Sequence, residues 1–422
     1  MTQTPLSERL RVVFAGPMNA GKSSLMNALF GREAALVSDT PGTTTDPVTR
    51  CFEIPGLGPA AITDTPGIDD SGELGEQRVR LALNKAAEAD IRVFITPQHR
   101  SPGEAEKALY SSWFMPQDSP ENSASEKANK PAILVLTHGD EPPHPEKEAW
   151  AQASGALRTE APSGRGIPAL VAAIAAAKPE REMAPLDGLV GEGDTVLMVT
   201  PIDLAAPAGR LIGPQVQSIR DALDKDAISV VVKERELRSA YANLRQPPKL
   251  VVTDSQAFSK VAADIPEHQL LTSFSILYAR KKGDLGQFLQ GLAAAVATPD
   301  APEILILESC AHHRQADDIG TVKIPRLFRQ MLRDDANFSF YKGMPEPQEL
   351  SKFHLVIHCG ACRLTRGAMG HRLDLLKQSG VPVTNYGMFL AWANGLMPRA
   401  LEPFEDAMEI WKKLQKSASS QG

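Results

Sequence analysis

Apolar and polar positions follow two rhythms along this chain. Short, mostly apolar runs at residues 11–15, 60–63, 91–96 and 132–137 read as buried strands, and helical patterns lie between them. Strands interleaved with helices predict a parallel, doubly wound α/β sheet. Residues 97–131 break the rhythm with Ser, Glu and Pro; a helix around 103–113 is expected there, followed by a mobile polar loop. Strand-like runs return at 195–200, 227–232 and 249–253, with helical spacing at 214–223. A third set falls at 304–307, 354–358 and 382–385. Pro179, Pro185, Gly188, Gly191 and Gly193 punctuate the first break and mark a linker. The pattern therefore predicts a mostly parallel α/β domain at 1–177, a linker at 178–193, and two further α/β domains at 194–265 and 266–422. A unit as small as 194–265 is expected to bury a face against a second copy, which predicts a homodimer. The apolar run at 167–177 is short, alanine-rich and closed by Lys178 and Pro179, so it reads as a surface helix and not a membrane span. The last ten residues are polar and are expected to fray.

Composition narrows the class. A chain of 422 residues exceeds what one core supports, and 42% hydrophobic with 23% charged residues excludes long disorder. A net charge of -6 gives no general attraction to nucleic acid or anionic membrane. Four cysteines in this length are not a disulfide framework, and residues 1–10 lack an apolar signal core, so a cytoplasmic protein is expected.

The strongest chemical signal is Gly16-Pro17-Met18-Asn19-Ala20-Gly21-Lys22-Ser23, between a predicted strand and a helix-like run. Its glycines let backbone N–H groups turn inward around phosphate oxygens, and the helix start adds positive potential. Lys22 is placed to reach the β and γ phosphates, Ser23 to bind Mg²⁺ and Ser24 to touch the α phosphate. Asp64-Thr65-Pro66-Gly67 ends a second strand, where the carboxylate can hold Mg²⁺ through water and the Gly67 amide can sense the γ phosphate. Between them, Thr43 and Thr44 lie in a loop able to complete the Mg²⁺ shell when a triphosphate is bound.

This order of motifs resembles the TrmE/Era-like GTPases. The resemblance implies GTP as substrate, with Lys22, Thr44, Asp64 and Gly67 in the catalytic set. It also implies Gly16, Asn19, Ala20, Gly21, Ser23, Ser24 and Thr43 at the nucleotide. Asn19 matches the asparagine that helps hold potassium near the phosphates in that group, so K⁺ is expected to supply charge that an arginine finger provides elsewhere. Ile68 stands where many small GTPases carry a water-orienting glutamine. The base-reading motif departs from the family's Asn-Lys-x-Asp: this chain has Thr137-His138-Gly139-Asp140. Asp140 is retained to accept the guanine N–H groups. Residues 161–167 fall where the last base-contacting loop is expected and match poorly.

A second constellation lies near the other end. Cys310 and His312 follow one predicted strand, and His358, Cys359 and Cys362 end another. Ligands at the ends of two strands can converge at one edge of a parallel sheet. Three thiolates with histidines nearby fit either zinc or an iron–sulfur cluster, with His312, His358 or Glu308 as candidate fourth ligand.

Cys-x-His, residues 313–357, then His-Cys-x-x-Cys resembles the signature of the HydF family of FeFe-hydrogenase maturation GTPases. Residues 207–212, 253–258, 271–277, 317–320 and 385–387 resemble that family as well, so the likeness runs from the P-loop to about Arg399. It implies a GTPase domain, a dimerisation domain and a domain binding a 4Fe-4S cluster through Cys310, Cys359 and Cys362. The implied role is scaffold or carrier of the di-iron precursor of the hydrogenase active site, with GTP hydrolysis as a switch. The implied partners are apo FeFe-hydrogenase and two radical-SAM maturases. Two other classes fit parts of the pattern. One is a GTPase with a structural zinc site in another assembly pathway, which the acidic balance disfavours. The other is a GTP-regulated iron–sulfur protein with a different client, though no further electron-carrier motif is present.

Overall fold

The computed structural model describes residues 4–31, 35–40, 47–54, 56–115, 130–179, 183–201, 211–309, 318–360 and 362–419; in 35–40 and 418–419 only the backbone is described. The chain divides into two compact units, Met1–Arg181 and Glu182–Gly422.

Among the described residues the first unit holds one sheet of seven strands: β1 (Leu10–Ala15), β2 (Ala35–Thr40), β3 (Val48–Ile54), β4 (Gly58–Asp64), β5 (Ile91–Pro97), β6 (Ala132–Thr137) and β7 (Leu157–Arg158). Their order is β2-β3-β4-β1-β5-β6-β7; β3 runs antiparallel to both its neighbours, β2 and β4, and the other pairings are parallel. The sheet is thus mostly parallel, as the apolar runs predicted. β1 and β5 are buried on both faces, which is why they read as continuous apolar runs. The expected helix at 103–113 forms as Glu104–Phe114. The run at 167–177 forms the helix Ile167–Ala176; it is amphipathic, with Ile167, Leu170 and Ile174 buried against the sheet. Beyond the end of β5, Lys147 is fully buried and is held by Glu106 and Thr96, a satisfied ionic network that locks the helix Pro145–Ser154 to the sheet.

The second unit carries two four-stranded parallel sheets. One contains β8 (Thr195–Val199), β9 (Ile228–Val232), β10 (Leu250–Thr253) and β11 (Leu271–Ser273), in the order β11-β10-β8-β9. The other contains β12 (Glu303–Glu308), β13 (Asn337–Lys342), β14 (Leu355–His358) and β15 (Val383–Asn385), in the order β13-β12-β14-β15. One continuous apolar core runs from Val196–Val199 through Leu277 and Phe288 to Ile357 and Phe389. The helix Phe274–Lys282 joins the halves. Gly387 permits this closeness, because a Cβ there would stand 2.4 Å from Ser275 Cβ.

The sequence pattern did not indicate five of these strands. β7 and β11 have two and three residues, too few to show a period. β13 is an edge strand in which half-buried and exposed positions mix. β2 and β3 pair antiparallel across a register shift between Leu36 and Ser38, so neither shows a clean run.

Candidate functional site

The phosphate-loop motif sits where β1 stops and the helix Lys22–Phe30 starts. Gly16 must lack a side chain, since a Cβ would lie 1.9 Å from the Ile95 carbonyl oxygen. Gly21 takes φ +85° and Asn19 φ 57°, the left-handed turns that point successive amides inward. Lys22 folds back over this loop and donates to the carbonyls of Gly16 (3.0 Å) and Pro17 (2.7 Å). Burial pushes its ammonium below the ordinary lysine range, opposed by the charges of Asp64 and then Asp69.

Asp64 ends β4 beside the helix start. Ser23 Oγ donates to its Oδ2 at 2.5 Å, whereas Oδ1 is buried with no hydrogen-bond partner among the described residues. Burial raises the Asp64 pKa; the Ser23 hydrogen bond, Lys22 and Arg50 oppose it. A hydroxyl and a half-satisfied buried carboxylate beside an anion-binding loop form a donor set that fits Mg²⁺. The turn after β4 is tied to the loop: Thr65 Oγ1 donates to Phe14 O (2.8 Å), Ile68 N to Gly16 O (3.2 Å) and Met18 N to Asp69 Oδ1 (2.6 Å). Gly67 lies at this contact, where a Cβ would be 2.4 Å from Met18 Cγ. Thr43 and Thr44 lie outside the described residues.

The altered base-reading motif follows β6. Thr137 Oγ1 donates to Ala20 O at 2.8 Å, so it braces the phosphate loop. His138 takes φ 56° and its ring meets His99 edge-on, with centroids 5.0 Å apart. Asp140 is exposed. The neighbouring loop begins earlier than residue 161: Thr159 N donates to Leu136 O and Gly139 N to Thr159 O, while Arg165 caps the Gly139 carbonyl at 2.8 Å. Residues 159–161, directly after the two-residue β7, therefore flank the base-reading turn. Sequence reasoning missed this because so short a strand leaves no pattern.

In the second unit, Glu308 and His358 end the adjacent parallel strands β12 and β14. Cys359 follows at once, its amide donating to Leu307 O (2.9 Å), and the exposed Cys362 lies three residues on. Neither is in a disulfide with another described residue. Lys282, almost wholly buried, donates to Leu364 O (2.6 Å) and Cys362 O (3.4 Å) and so pins the cysteine turn from below. Arg372, on the helix Arg366–Gln378, donates to Ser309 Oγ (3.1 Å) and His358 Nε2 (3.2 Å). Cys359 Sγ lies 3.4 Å from the same Ser309 Oγ. Glu308 is buried, its Oε1 2.9 Å from the place a Cβ on Gly320 would take. Two cysteine thiols spaced to bite one centre, over two buried cations, form a donor set that fits an anionic iron–sulfur cluster. Cys310 and His312 lie outside the described residues. Among the described residues no group of three metal-ligating side chains is assembled. Nothing in the sequence singled out Ser309, Lys282 or Arg372.

Three family models match the chain. The hydrogen maturase F dimerization domain matches residues 186–283 and the hydrogen maturase F tetramerization domain residues 286–403. A 50S ribosome-binding GTPase model matches residues 11–138. Similar curated proteins include the tRNA modification GTPase MnmE of Methylorubrum populi, 36% identical over 172 residues, which are 40% of this chain and 33% of that protein. MnmE of Ruegeria pomeroyi is 45% identical over 96 residues, 22% of each chain. The chain spans less than half the length of these relatives. Among solved structures, Era of Aquifex aeolicus bound to GDP·AlF4⁻ is 25% identical, covering 41% of this chain and 57% of Era, with a TM-score of 0.31. The G domain of the T. maritima FeoB iron transporter is 22% identical, covering 41% of this chain and all of that one, with a TM-score of 0.29.

Proposed function

The chain belongs to the hydrogen maturase F family, and on that premise we propose that it is a GTP-hydrolysing carrier in FeFe-hydrogenase maturation. In this reading it binds a 4Fe-4S cluster in its C-terminal sheet and delivers the di-iron precursor, its cargo, to apo-hydrogenase. The single observation that carries the reading is the joining, in one chain, of a P-loop GTPase domain to a sheet edge bearing a closely spaced cysteine pair.

Each part has a stated role. The amides of Gly16 to Ser24 and the Lys22 ammonium hold the phosphates, and Ser23 with Asp64 holds Mg²⁺, for which the unsatisfied Asp64 Oδ1 is the support. Thr43 and Thr44 close that shell. Gly67 reports the γ phosphate, and Asn19 positions K⁺ in place of an arginine finger. Asp140 reads guanine, while Thr137 holds the loop under the base.

Cys310, Cys359 and Cys362 hold the cluster, which when bound supplies an iron with an exchangeable position. Glu308 and His312 are the candidates for that fourth position. Residues 194–265 form the dimerisation region and 266–422 the cluster region. Val216 and Leu223, seven positions apart on the helix Gly213–Asp224, and Ile228 and Val231 on β9 are exposed apolar side chains, and β9 is the edge of its sheet, which suits a second copy. No helix among the described residues is long and apolar enough to cross a membrane, and described cysteines without disulfides suit a reducing cytoplasm. The two radical-SAM maturases are the proposed upstream partners.

The test is transfer. Chain isolated from cells that also make both radical-SAM maturases is mixed with apo-hydrogenase, and hydrogen evolution is followed. Activation that depends on the cargo-loaded chain is expected; apo-hydrogenase left inactive by a chain carrying its full iron would contradict the carrier role.

A further inference from the structure

His358 is completely buried at the end of β14, and both its ring nitrogens are engaged. Arg372 Nη1 lies 3.2 Å from Nε2, and a guanidinium can only donate, so Nε2 accepts and carries no proton. The proton of the neutral ring is then on Nδ1, which lies 2.7 Å from the Cys359 carbonyl oxygen and donates to it. The ring therefore has no spare lone pair to offer a metal: one nitrogen is a donor, and the other is taken by Arg372.

The same guanidinium orders a second contact. Arg372 Nη1 donates to Ser309 Oγ at 3.1 Å, which leaves the Ser309 hydroxyl proton for a different acceptor. Cys359 Sγ stands 3.4 Å from that hydroxyl. A metal-bound cysteine is a thiolate with no proton to give, so the bond there runs from Ser309 O–H to sulfur.

We infer that Arg372 and Ser309 form a positioning relay, Nη1–H to Oγ–H to Sγ, that places a charge-assisted hydrogen bond on Cys359, and that His358 clamps the Cys359 peptide and is not itself a metal ligand. This rests on the reading that Cys359 binds the iron–sulfur cluster. Arg372 is a positioning residue here, acting through Ser309 and His358. A hydrogen bond to a ligand sulfur stabilises the added negative charge of the reduced cluster, so the relay raises its reduction potential.

The experiment has two arms on the full chain. In the first, the cluster is reconstituted without oxygen and its midpoint potential is read by EPR-monitored redox titration. Ser309→Ala, a small change, should keep the iron content and shift the midpoint to a more negative value; Arg372→Lys, which loses the planar fork, should shift it the same way. An unchanged midpoint in Ser309→Ala overturns the relay. In the second arm, nitrogen-15 shifts of His358 in the chain before reconstitution should read Nδ1–H with a bare Nε2, and His358→Gln should still take up full iron. An Nε2–H tautomer, or a folded His358→Gln chain without iron, overturns the clamp. Wild-type chain that takes up no iron at all overturns the cluster reading and the relay with it, while the tautomer measurement still decides the clamp.

Discussion

The two candidate sites bind by opposite strategies. At the phosphate loop the ligand groups are mostly backbone, supplied by nine consecutive residues, and conformation is the specificity: Gly16 is required by the Ile95 carbonyl and Gly21 by its positive φ. At the cysteine edge the groups are side chains brought together from β12, β14 and the helix Arg366–Gln378, and buried cations hold them from below. The first site tolerates little change in shape. The second tolerates little change in charge. A contiguous backbone site should fail all at once, whereas a dispersed side-chain site should lose function in graded steps.

The largest effect expected is at Lys22, where Lys22→Ala should abolish GTP hydrolysis, read as phosphate release, while iron per chain stays unchanged. Loss of iron in that variant would break the separation of the two sites. Next, Cys359→Ala should remove the cluster, read as iron content and EPR amplitude, with GTP affinity preserved; full iron in that variant would sink the ligand assignment. Third, Gly16→Ala forces a Cβ to within 1.9 Å of Ile95 O, so a strand or the loop must move. A cost of about 3 kcal/mol or more is expected, lowering the melting midpoint of the first unit by about 10 °C in calorimetry. The smallest effect is at Thr137→Ala, which removes one buried hydrogen bond to Ala20 O. About 1 kcal/mol, or roughly fivefold weaker nucleotide binding by titration calorimetry, is expected, with hydrolysis retained.

The same contrast explains what could be read from the sequence. Strands such as β1, β5, β8 and β12 lie in the sheet interior, so burial on both faces left apolar runs that need no alignment to see. Edge and very short strands carried that mark unevenly: β9 and β15 showed as runs at 227–232 and 382–385, whereas β13, with Phe338 and Phe340 among polar residues, did not. The phosphate loop was legible because its chemistry is contiguous. Cys359 and Cys362 were legible as a spaced pair, but Ser309 and Arg372 are 63 positions apart and are joined only by folding. His358 shows the limit most clearly. Beside a cysteine it reads as a ligand, yet its place in the core gives both nitrogens to hydrogen bonds.

The central claim is that the cysteine edge carries an iron–sulfur cluster alongside the GTPase domain. Metal analysis with EPR on anaerobically reconstituted, dithionite-reduced chain tests it most directly. The account predicts about four iron per chain and a fast-relaxing S = 1/2 signal, as three thiolates and one exchangeable position imply. Stoichiometric zinc with no iron uptake would contradict it and make the cysteine edge a structural site.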